Sequence, residues 1–329
     1  MNKRGQTTAM SVSETAEHYP MVSAPFGHAL VEAGRRNERI LGLTADLGKY
    51  TDMLPFAETF PARYFNVGMA EQNLIGVAAG LARTGFVPFC TTYCVFATRR
   101  AYDFIAIGCA LSRINVKIIA GLPGLTTGYG GTHQGIEDLA LMRAMPNLTV
   151  IDPCDATELA QATLAIAGYD GPVYMRLLRG RVPTVFNPAT YRFEIGKARL
   201  LREGTQVALI STGLMTQRTL EAAAQLAGEG VSAAVLHVST LKPFDREAVL
   251  SLLQKVPVAI TAENHIMTGG LAGAVADAVV DAGLRLRLRR VGIPDCFCEC
   301  GSLPYLAKRY KMDTESIVAA AYGILAERS

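Results

Sequence analysis

One glutamate lies where the sequence predicts a ligand site. Residues 63–80 read RYFNVGMAEQNLIGVAAG, a short strand that runs to Gly68 and a helix that opens with AEQN. Glu71 is therefore expected in the first turn of a helix, at the carboxyl end of a strand, where open α/β sheets bind ligands. A carboxylate in a first turn also stabilises the helix by complementing its dipole. The position by itself is compatible with either role.

A histidine follows a pair of glycines in GGTHQ, residues 130–134. The glycines predict a tight loop before the next helix. A neutral imidazole in such a loop can donate or accept a proton for a bound substrate, although an isolated histidine is also commonly structural. His133 is thus a second candidate for chemistry.

The seven cysteines are scattered, and the tightest group is Cys296, Cys298 and Cys300. A spacing of two would place three sulfurs on one face of a strand. Zinc sites more often use Cys-x-x-Cys pairs, so free thiols are the favoured interpretation and no metal ligands are assigned. The odd count, with no secretory signal in the first twenty residues, predicts a reduced, cytoplasmic protein.

Several common motifs are missing from the sequence. It has no Gly-x-x-x-x-Gly-Lys-Ser/Thr phosphate loop, no Gly-x-Gly-x-x-Gly after a strand, no Gly-x-Ser-x-Gly and no His-Glu-x-x-His. Standard nucleotide-binding and hydrolase functions therefore lose support.

Short apolar strands alternate with helical segments, a pattern typical of parallel sheets covered on both faces. The predicted strands are Ile40–Ala45, Phe86–Cys90, Val116–Ala120, Thr149–Asp152, Val173–Leu177, Val207–Ser211, Ala234–Val238, Pro257–Thr261 and Leu286–Val291. The predicted helices are Met69–Arg83, Phe96–Leu111, Ile136–Met145, Ala156–Ala167, Leu214–Gly228, Arg246–Lys255 and Leu271–Ala282.

The alternation breaks at RVPTVFNPATYRFE, residues 181–194, which has two prolines and no helical period. This predicts two doubly wound α/β domains joined by a linker. We assign residues 1–20 to a flexible arm, 21–185 to the first domain, 186–195 to the linker and 196–329 to the second domain.

Composition limits the class of protein. Half of the 329 residues are hydrophobic and 19% are charged, which excludes general disorder. The net charge of only +3 argues against a nucleic-acid partner. No stretch of eighteen apolar residues occurs, so no membrane association is expected.

Four segments of the first domain, in this order, resemble the transketolase family of thiamine-diphosphate enzymes: RYFNVGMAEQNLIGVAAGLA, VPFCTTYCVFATRRAYD, THQGIEDLALMRAMPN and DGPVYMRLLRG. The likeness continues in the second domain through TGLMTQRTLEAA, VSTLKPFDRE and ENHIMTGGLAGAVADAV. It implies a parallel-sheet pyrimidine-binding domain followed by a transketolase C-terminal domain. It also implies transferase activity, in which a two-carbon ketol unit moves between sugar phosphates in carbohydrate metabolism.

The resemblance implies a role for each candidate residue. Glu71 matches the glutamate that hydrogen-bonds N1′ of the aminopyrimidine and favours the imino form that removes the C2 proton. Tyr93 and Phe96 match aromatics that contact the pyrimidine ring, although both are also compatible with core positions. His133 matches a histidine near the reacting centre. Arg179 matches the arginine that holds a sugar phosphate, with Arg176 and Arg181 as competitors for that role.

The resemblance covers only half of a whole transketolase, because the Gly-Asp-Gly signature of the diphosphate-binding domain is absent. The chain is therefore similar to the small subunit of a split transketolase. A separate, larger subunit is expected to bind Mg²⁺ and the diphosphate, and a heterotetramer of two large and two small chains is expected.

The sequence departs from the family on the sugar side. Leu122 stands where a sugar-contacting histidine is expected, and the acidic segment that reads a ketose hydroxyl is shortened to Gly128-Tyr129-Gly130. Loss of groups that read hydroxyls changes specificity, so we expect a modified ketose phosphate such as apulose 4-phosphate. Three alternatives remain: the beta subunit of a 2-oxoacid dehydrogenase, a fragment-like relative of deoxyxylulose phosphate synthase, and a non-catalytic subunit that completes an oligomer.

Overall fold

The computed structural model describes residues 19–256 and 258–327. The arm predicted for residues 1–20 lies outside the described residues, apart from its last two. The strands are β1 (Met21–Ser23), β2 (Ile40–Thr44), β3 (Tyr64–Asn66), β4 (Val87–Tyr93), β5 (Lys117–Gly121), β6 (Thr149–Ile151), β7 (Val173–Leu177), β8 (Arg181–Pro183), β9 (Arg199–Arg202), β10 (Val207–Ser211), β11 (Ala233–His237), β12 (Thr240–Lys242), β13 (Val258–Ile266) and β14 (Arg287–Ile293).

The helices lie on both faces of the sheets. They are α1 (Pro25–Arg36), α2 (Leu54–Thr59), α3 (Glu71–Arg83), α4 (Tyr102–Ile105), α5 (Asp138–Ala144), α6 (Ala156–Gly168), α7 (Met215–Gly228), α8 (Arg246–Lys255), α9 (Leu271–Asp281), α10 (Leu303–Arg309) and α11 (Thr314–Ala326). Within the described part of the chain, no helix is both long and apolar enough to cross a bilayer.

Two sheets form the framework. The first has the order β12-β6-β7-β5-β4-β2-β3, and every pairing in it is parallel except that of β12. The second has the order β14-β13-β10-β11-β9, with β9 as its antiparallel edge. The strands β2, β4, β5, β7, β10 and β11 are buried along their whole length, as parallel strands covered on both faces must be. The predicted fold class is confirmed.

The helix predicted over residues 96–111 is interrupted. Two π-helical segments, Phe96–Arg100 and Ala106–Ala110, flank the single turn of α4. A π-helical turn holds an extra residue and rotates the side chains that follow it, and such turns occur often at functional sites. Phe96 and Arg100 belong to the first of these segments.

The two halves of the chain share structure across their boundary. β12, which lies beyond the predicted linker, adds an antiparallel strand to the edge of the first sheet, with Thr240 opposite Ile151. One apolar core contains residues of both halves, including Leu74, Leu236 and Leu271. The segment 186–195 itself contains only turns and packs on α6, where the Thr157 hydroxyl donates to the Phe186 carbonyl at 2.9 Å.

A buried ion-pair network also lies at this boundary. The Arg176 guanidinium, on β7, donates to Asp138 through Nε at 2.8 Å and through Nη2, and reaches Asp152 at 3.2 Å. All three side chains are at most 3% exposed. Gly213 packs against Asp152 so closely that a Cβ would lie 2.4 Å from its carboxylate oxygens. The second domain therefore closes over the Asp138–Arg176–Asp152 network.

The segment with Cys296, Cys298 and Cys300 does not form a strand, so their spacing of two does not place the sulfurs on one face. β14 ends at Ile293, and residues 294–301 are irregular. Cys298 is buried, whereas Cys296 and Cys300 are exposed. This segment packs against the first domain, where the Gly301 amide donates to the Gly128 carbonyl at 3.2 Å.

Candidate functional site

The candidate residues of the first domain gather at the carboxyl edge of its sheet. Glu71 begins α3 after β3, Tyr93 is the last residue of β4, and Leu122 follows β5 directly. His133 lies in the loop after β5, and Arg179 follows β7. Strands β4, β5 and β7 are consecutive neighbours in the sheet. This edge is where open α/β sheets place ligands.

Glu71 is 2% exposed, and its Oε2 accepts a hydrogen bond from Arg100 Nη1 at 2.8 Å. The Arg100 side chain is 45% exposed, so the ion pair extends from the interior to the surface. Among the described residues no hydrogen bond is made to the other carboxylate oxygen, Oε1. A buried carboxylate with one uncommitted oxygen fits a ligand atom that shares a proton with it.

Arg100 links Glu71 to the aromatic side chains. Its guanidinium carbon lies 4.4 Å from the centroid of the Phe96 ring, a cation–π distance. Phe96 in turn stacks on Tyr93, with centroids 5.9 Å apart and planes inclined by 26°. Arg100 was not predicted from the sequence, because adjacent arginines in a helical segment are typical of a solvated face.

His133 completes an aromatic cluster. Its ring lies edge-on to Phe96 with centroids 5.4 Å apart, and tilted to Tyr129 at 5.2 Å. The Thr132 hydroxyl hydrogen-bonds His133 Nδ1 at 2.9 Å. Because Nδ1 is bonded to Thr132, Nε2 is the ring nitrogen of His133 that is left for a ligand. The hydroxyl can donate or accept, so either neutral tautomer of His133 is compatible with this bond.

The loop that carries His133 is fixed from two sides. Arg99 Nη1 donates to the Gly131 carbonyl at 3.0 Å, while its Nη2 reaches the Gln134 carbonyl at 3.3 Å and Glu137 at 2.9 Å. From the second domain, the Glu299 carbonyl accepts from Gln134 Nε2 at 3.4 Å. His133 therefore depends on both domains for its position.

A carboxyl group that the sequence did not indicate lies near Arg179. Asp52 is buried, and its carboxylate accepts a hydrogen bond from the Gly180 amide at 2.8 Å. Its backbone is in the left-handed region, with φ of 53°. Burial raises its pKa to about 6, against the opposing effects of the Gly180 hydrogen bond and the Arg179 charge. Burial likewise raises the pKa of Tyr93 to about 12, partly offset by Arg179. Arg179 thus lies within electrostatic reach of both.

The structure separates Arg179 from its competitors. The guanidinium of Arg176 is held inside the Asp138–Arg176–Asp152 network and is 1% exposed. Arg181 lies on the short strand β8, opposite Ser23 of β1. Arg179 is the one of the three that lies beside Tyr93 and Asp52.

Leu122 gives this edge of the site an apolar wall. It is 3% exposed and packs with Tyr93 and Val95, in a cluster completed by Leu47, Tyr50 and Phe96. Its φ of 56° lies in the left-handed region, which is uncommon for a leucine. The apolar side chain of Leu122 has no group that can hydrogen-bond a substrate hydroxyl.

A second polar cluster lies between the domains. Cys154, Glu158 and His237 have ligand atoms within 4.8 Å of one another, as a metal site requires, and all three are buried. Glu158 and His237 already bond each other at 2.8 Å. Burial opposes both charges, yet their mutual attraction raises the pKa of His237 and lowers that of Glu158. Glu158 and His237 therefore form a buried ion pair within this cluster.

Comparison with family models identifies both halves of the chain. Residues 19–184 match the model described as the transketolase pyrimidine binding domain, and residues 196–317 match the transketolase C-terminal domain.

Individual relatives agree with these models. An uncharacterized transketolase family protein of Sinorhizobium fredii is 50% identical over 95% of this chain and 91% of its own. A 6-deoxy-6-sulfo-D-fructose transketolase subunit of a Clostridium species is 42% identical over 90% and 91%. A solved structure described as a split gene transketolase in an inactive beta4 tetramer superposes with a TM-score of 0.86, at 41% identity, over 93% of this chain and 98% of that one.

Proposed function

The chain belongs to the transketolase family, and from that premise we propose that it is the small subunit of a split, thiamine-diphosphate-dependent transketolase. In this proposal it holds the pyrimidine end of the cofactor and the sugar substrate. A larger subunit binds Mg²⁺ and the diphosphate. The observation that carries the proposal is the buried carboxylate of Glu71, with its uncommitted Oε1, beside the ring of Phe96 that Arg100 covers.

The residues present fit the aminopyrimidine of the cofactor. Glu71 offers a carboxylate oxygen for a ring nitrogen, and Tyr93 and Phe96 offer flat faces for an electron-poor heterocycle. Bound thiamine diphosphate would supply a nucleophilic ring carbon for the transfer of the two-carbon unit. Because Arg100 holds Glu71 through Oε2 only, the ion pair fixes the carboxylate while Oε1 binds the cofactor.

His133 and Arg179 act on the substrate in this proposal. His133, oriented by Thr132, presents Nε2 for proton transfer at a substrate oxygen. Arg179 offers a planar guanidinium that can bind two oxygens of the substrate's anionic group. The ring of His133 packs edge-on against Phe96 and tilted against Tyr129, which holds the imidazole in place.

An exposed apolar surface supports a partner subunit. Exposed apolar side chains lie on or beside α3 and the neighbouring helical segment 96–110. They are Met69, Val77, Phe104, Ile107, which is 59% exposed, and Leu111, which is 68% exposed. Contiguous exposed apolar side chains mark interaction surfaces. This surface adjoins Glu71, so we propose that it binds the other subunits in an assembly of two large and two small chains. The inactive tetramer described for the 41% identical relative is compatible with a small chain that needs a partner.

The substrate that we propose is a modified ketose that carries an anionic group. Leu122 contributes no hydrogen bond to a sugar hydroxyl, whereas Arg179 keeps a cation for the anion. Apulose 4-phosphate is one such substrate. The relative named for 6-deoxy-6-sulfo-D-fructose indicates that a sulfonated ketose is another.

The test is a reconstituted assay. The chain is combined with a larger diphosphate-binding chain from the same genome, thiamine diphosphate and Mg²⁺. The donors are apulose 4-phosphate, 6-deoxy-6-sulfo-D-fructose, xylulose 5-phosphate and pyruvate. We expect ketol transfer from a modified ketose, and none from the small chain alone. A preference for xylulose 5-phosphate would contradict the proposal of a modified ketose as substrate. Decarboxylation of pyruvate without ketol transfer would instead favour a 2-oxoacid dehydrogenase subunit.

Leu122→His is expected to shift the donor preference toward xylulose 5-phosphate by about tenfold in relative kcat/KM, because a hydrogen bond to a substrate hydroxyl contributes about 1–1.5 kcal/mol. Histidine also tolerates the left-handed backbone of this position better than leucine. The measurement compares kcat/KM for both donors in the wild type and the variant. Leu122→Met, which adds no polar group, is the control. An equal change in both variants would show that Leu122 acts by packing alone.

A further inference from the structure

A cavity of about 440 Å³ lies in the second domain, between the end of β14, the end of α10 and the segment 294–301. Its polar lining comes from Arg290, Arg309, Tyr310, Lys311 and Cys296, and its apolar lining includes Val291. The mechanism proposed above uses none of these residues.

Three cations from separate parts of the chain surround this cavity. Arg290 belongs to β14, Arg309 ends α10, and Lys311 follows α10. Basic residues at a helix end complement its dipole, which accounts for Arg309. The dipole does not account for Arg290, which lies on a strand. The convergence of charges from different elements therefore needs another cause.

Two of these cations have no acidic partner in the described part of the chain. Arg309 pairs with Glu299 at 3.1 Å, but among residues 19–256 and 258–327 neither Arg290 nor Lys311 forms an ion pair. Arg290 donates to the Met267 carbonyl at 3.2 Å, which leaves its charge uncompensated. Two further carboxylates, Glu137 and Asp295, line the adjoining cavity of about 350 Å³. The residues that line the larger cavity include three cations and no carboxylate.

The backbone at Lys311 strengthens this interpretation. Lys311 has φ of 56°, a conformation that favours glycine or asparagine after a helix. Lysine is less favourable than glycine in this conformation. Lys311 lines the cavity with a cation, which glycine would not supply.

We propose that this cavity binds a small organic phosphate monoester. Two guanidinium groups and an ammonium match a phosphate dianion, because guanidinium binds phosphate oxygens in pairs. The volume of about 440 Å³ exceeds that of a phosphate group and falls in the range of small-molecule sites. The ring of Tyr310 and the side chains of Val291 and Pro294 accept the apolar body of the ligand.

Cys296 supplies a direct readout, because it is an exposed free thiol on the cavity wall. The experiment measures the alkylation rate of Cys296 by iodoacetamide in the full chain, by mass spectrometry, with and without phenyl phosphate. We expect protection of about fivefold at four times the dissociation constant. Exposed Cys300, which does not line the cavity, is the internal reference and is expected to alkylate at an unchanged rate.

Variants test the cations. Arg290→Met and Lys311→Gly are expected to abolish protection, and glycine suits the left-handed backbone of position 311, so the fold is kept. Lys308→Met, which removes an exposed charge of α10 that does not line the cavity, is expected to keep it. The ratio with and without ligand is taken within each variant, so altered thiol reactivity cancels.

Three results would overturn the proposal. They are alkylation of Cys296 at the same rate with phenyl phosphate, equal protection by neutral benzyl alcohol, or protection that survives in both Arg290→Met and Lys311→Gly. None of these readouts involves turnover, so the proposal succeeds or fails independently of the transketolase activity.

Discussion

Glu71→Gln is expected to lower kcat of the reconstituted enzyme by about 10²–10⁴-fold, the contribution of a positioned proton-transfer group. Glutamine keeps the shape of the side chain and can still accept the bond from Arg100, but it cannot share a proton with a ring nitrogen of the cofactor. The free energy of unfolding should therefore change little. The measurements are ketol transfer with saturating cofactor and urea unfolding of the isolated chain.

Two matched variants make this result specific. Glu58→Gln changes an exposed glutamate on α2 and should leave turnover unaltered. Arg100→Met keeps the Glu71 carboxylate but removes its ion pair, and should raise KM for the cofactor more than it lowers kcat. Full activity of Glu71→Gln in the reconstituted complex would refute the proposed role of Glu71.

Asp138→Asn is expected to destabilise the chain by about 3–5 kcal/mol, because it leaves the buried Arg176 guanidinium without its main counter-charge. Arg176 would retain only Asp152, at 3.2 Å. Asp138 also accepts from the Tyr174 hydroxyl at 2.7 Å, so the whole network loses its central acceptor. Equilibrium urea unfolding measures the change.

An exposed ion pair of the same chemistry is the control. Arg246 and Asp281 bond at 2.7 Å, with side chains 48% and 60% exposed. Asp281→Asn should cost less than about 1 kcal/mol, as exposed pairs generally do. Equal losses for the two variants would show that the buried network contributes no more to stability than a surface pair.

The same network predicts a response to acid. Burial alone would raise the pKa of Asp138, but the Arg176 charge and hydrogen bonds hold it at about 2. An acid with a lowered pKa contributes stability that is fully present above its ordinary value near 4 and is lost as the pH falls toward 2. The stability difference between the wild type and Asp138→Asn should therefore narrow as the pH falls through this range.

The strands were the most predictable part of the fold. Val173–Leu177 and Val207–Ser211 have the predicted bounds, because a strand buried on both faces reads as an uninterrupted apolar run. The three-residue strand β12 was not predicted, since its pairing with β6 joins positions about 90 residues apart and leaves no local pattern. The helix α11 was also missed, although Asp313, which caps it by accepting from the Ser316 amide at 3.0 Å, was a usable signal.

The candidate site was predictable only in part. Glu71 is the first residue of α3, as the motif indicates, and His133 lies beside Phe96. Arg100 was not predicted, because its contacts with Glu71 and Phe96 depend on a π-helical segment that has no sequence period of its own. Asp52 was not predicted either, because its burial arises where the chain segment after β7 crosses over it and donates the Gly180 amide.

The sequence by itself determined the alternation of strands and helices, the order of the two domains and the position of Glu71 at a helix start, because each depends on residues that are near one another in the chain. Only the tertiary structure decided that Arg179 lies beside Tyr93 and Asp52 and that Arg100 holds Glu71. It also decided that the second domain contacts the His133 loop through Glu299 and brings Arg290 and Lys311 to one cavity. Those arrangements depend on groups that are distant in sequence and meet only when the sheets are packed. Burial and charge at such meeting points are properties of the fold, and no local pattern encodes them.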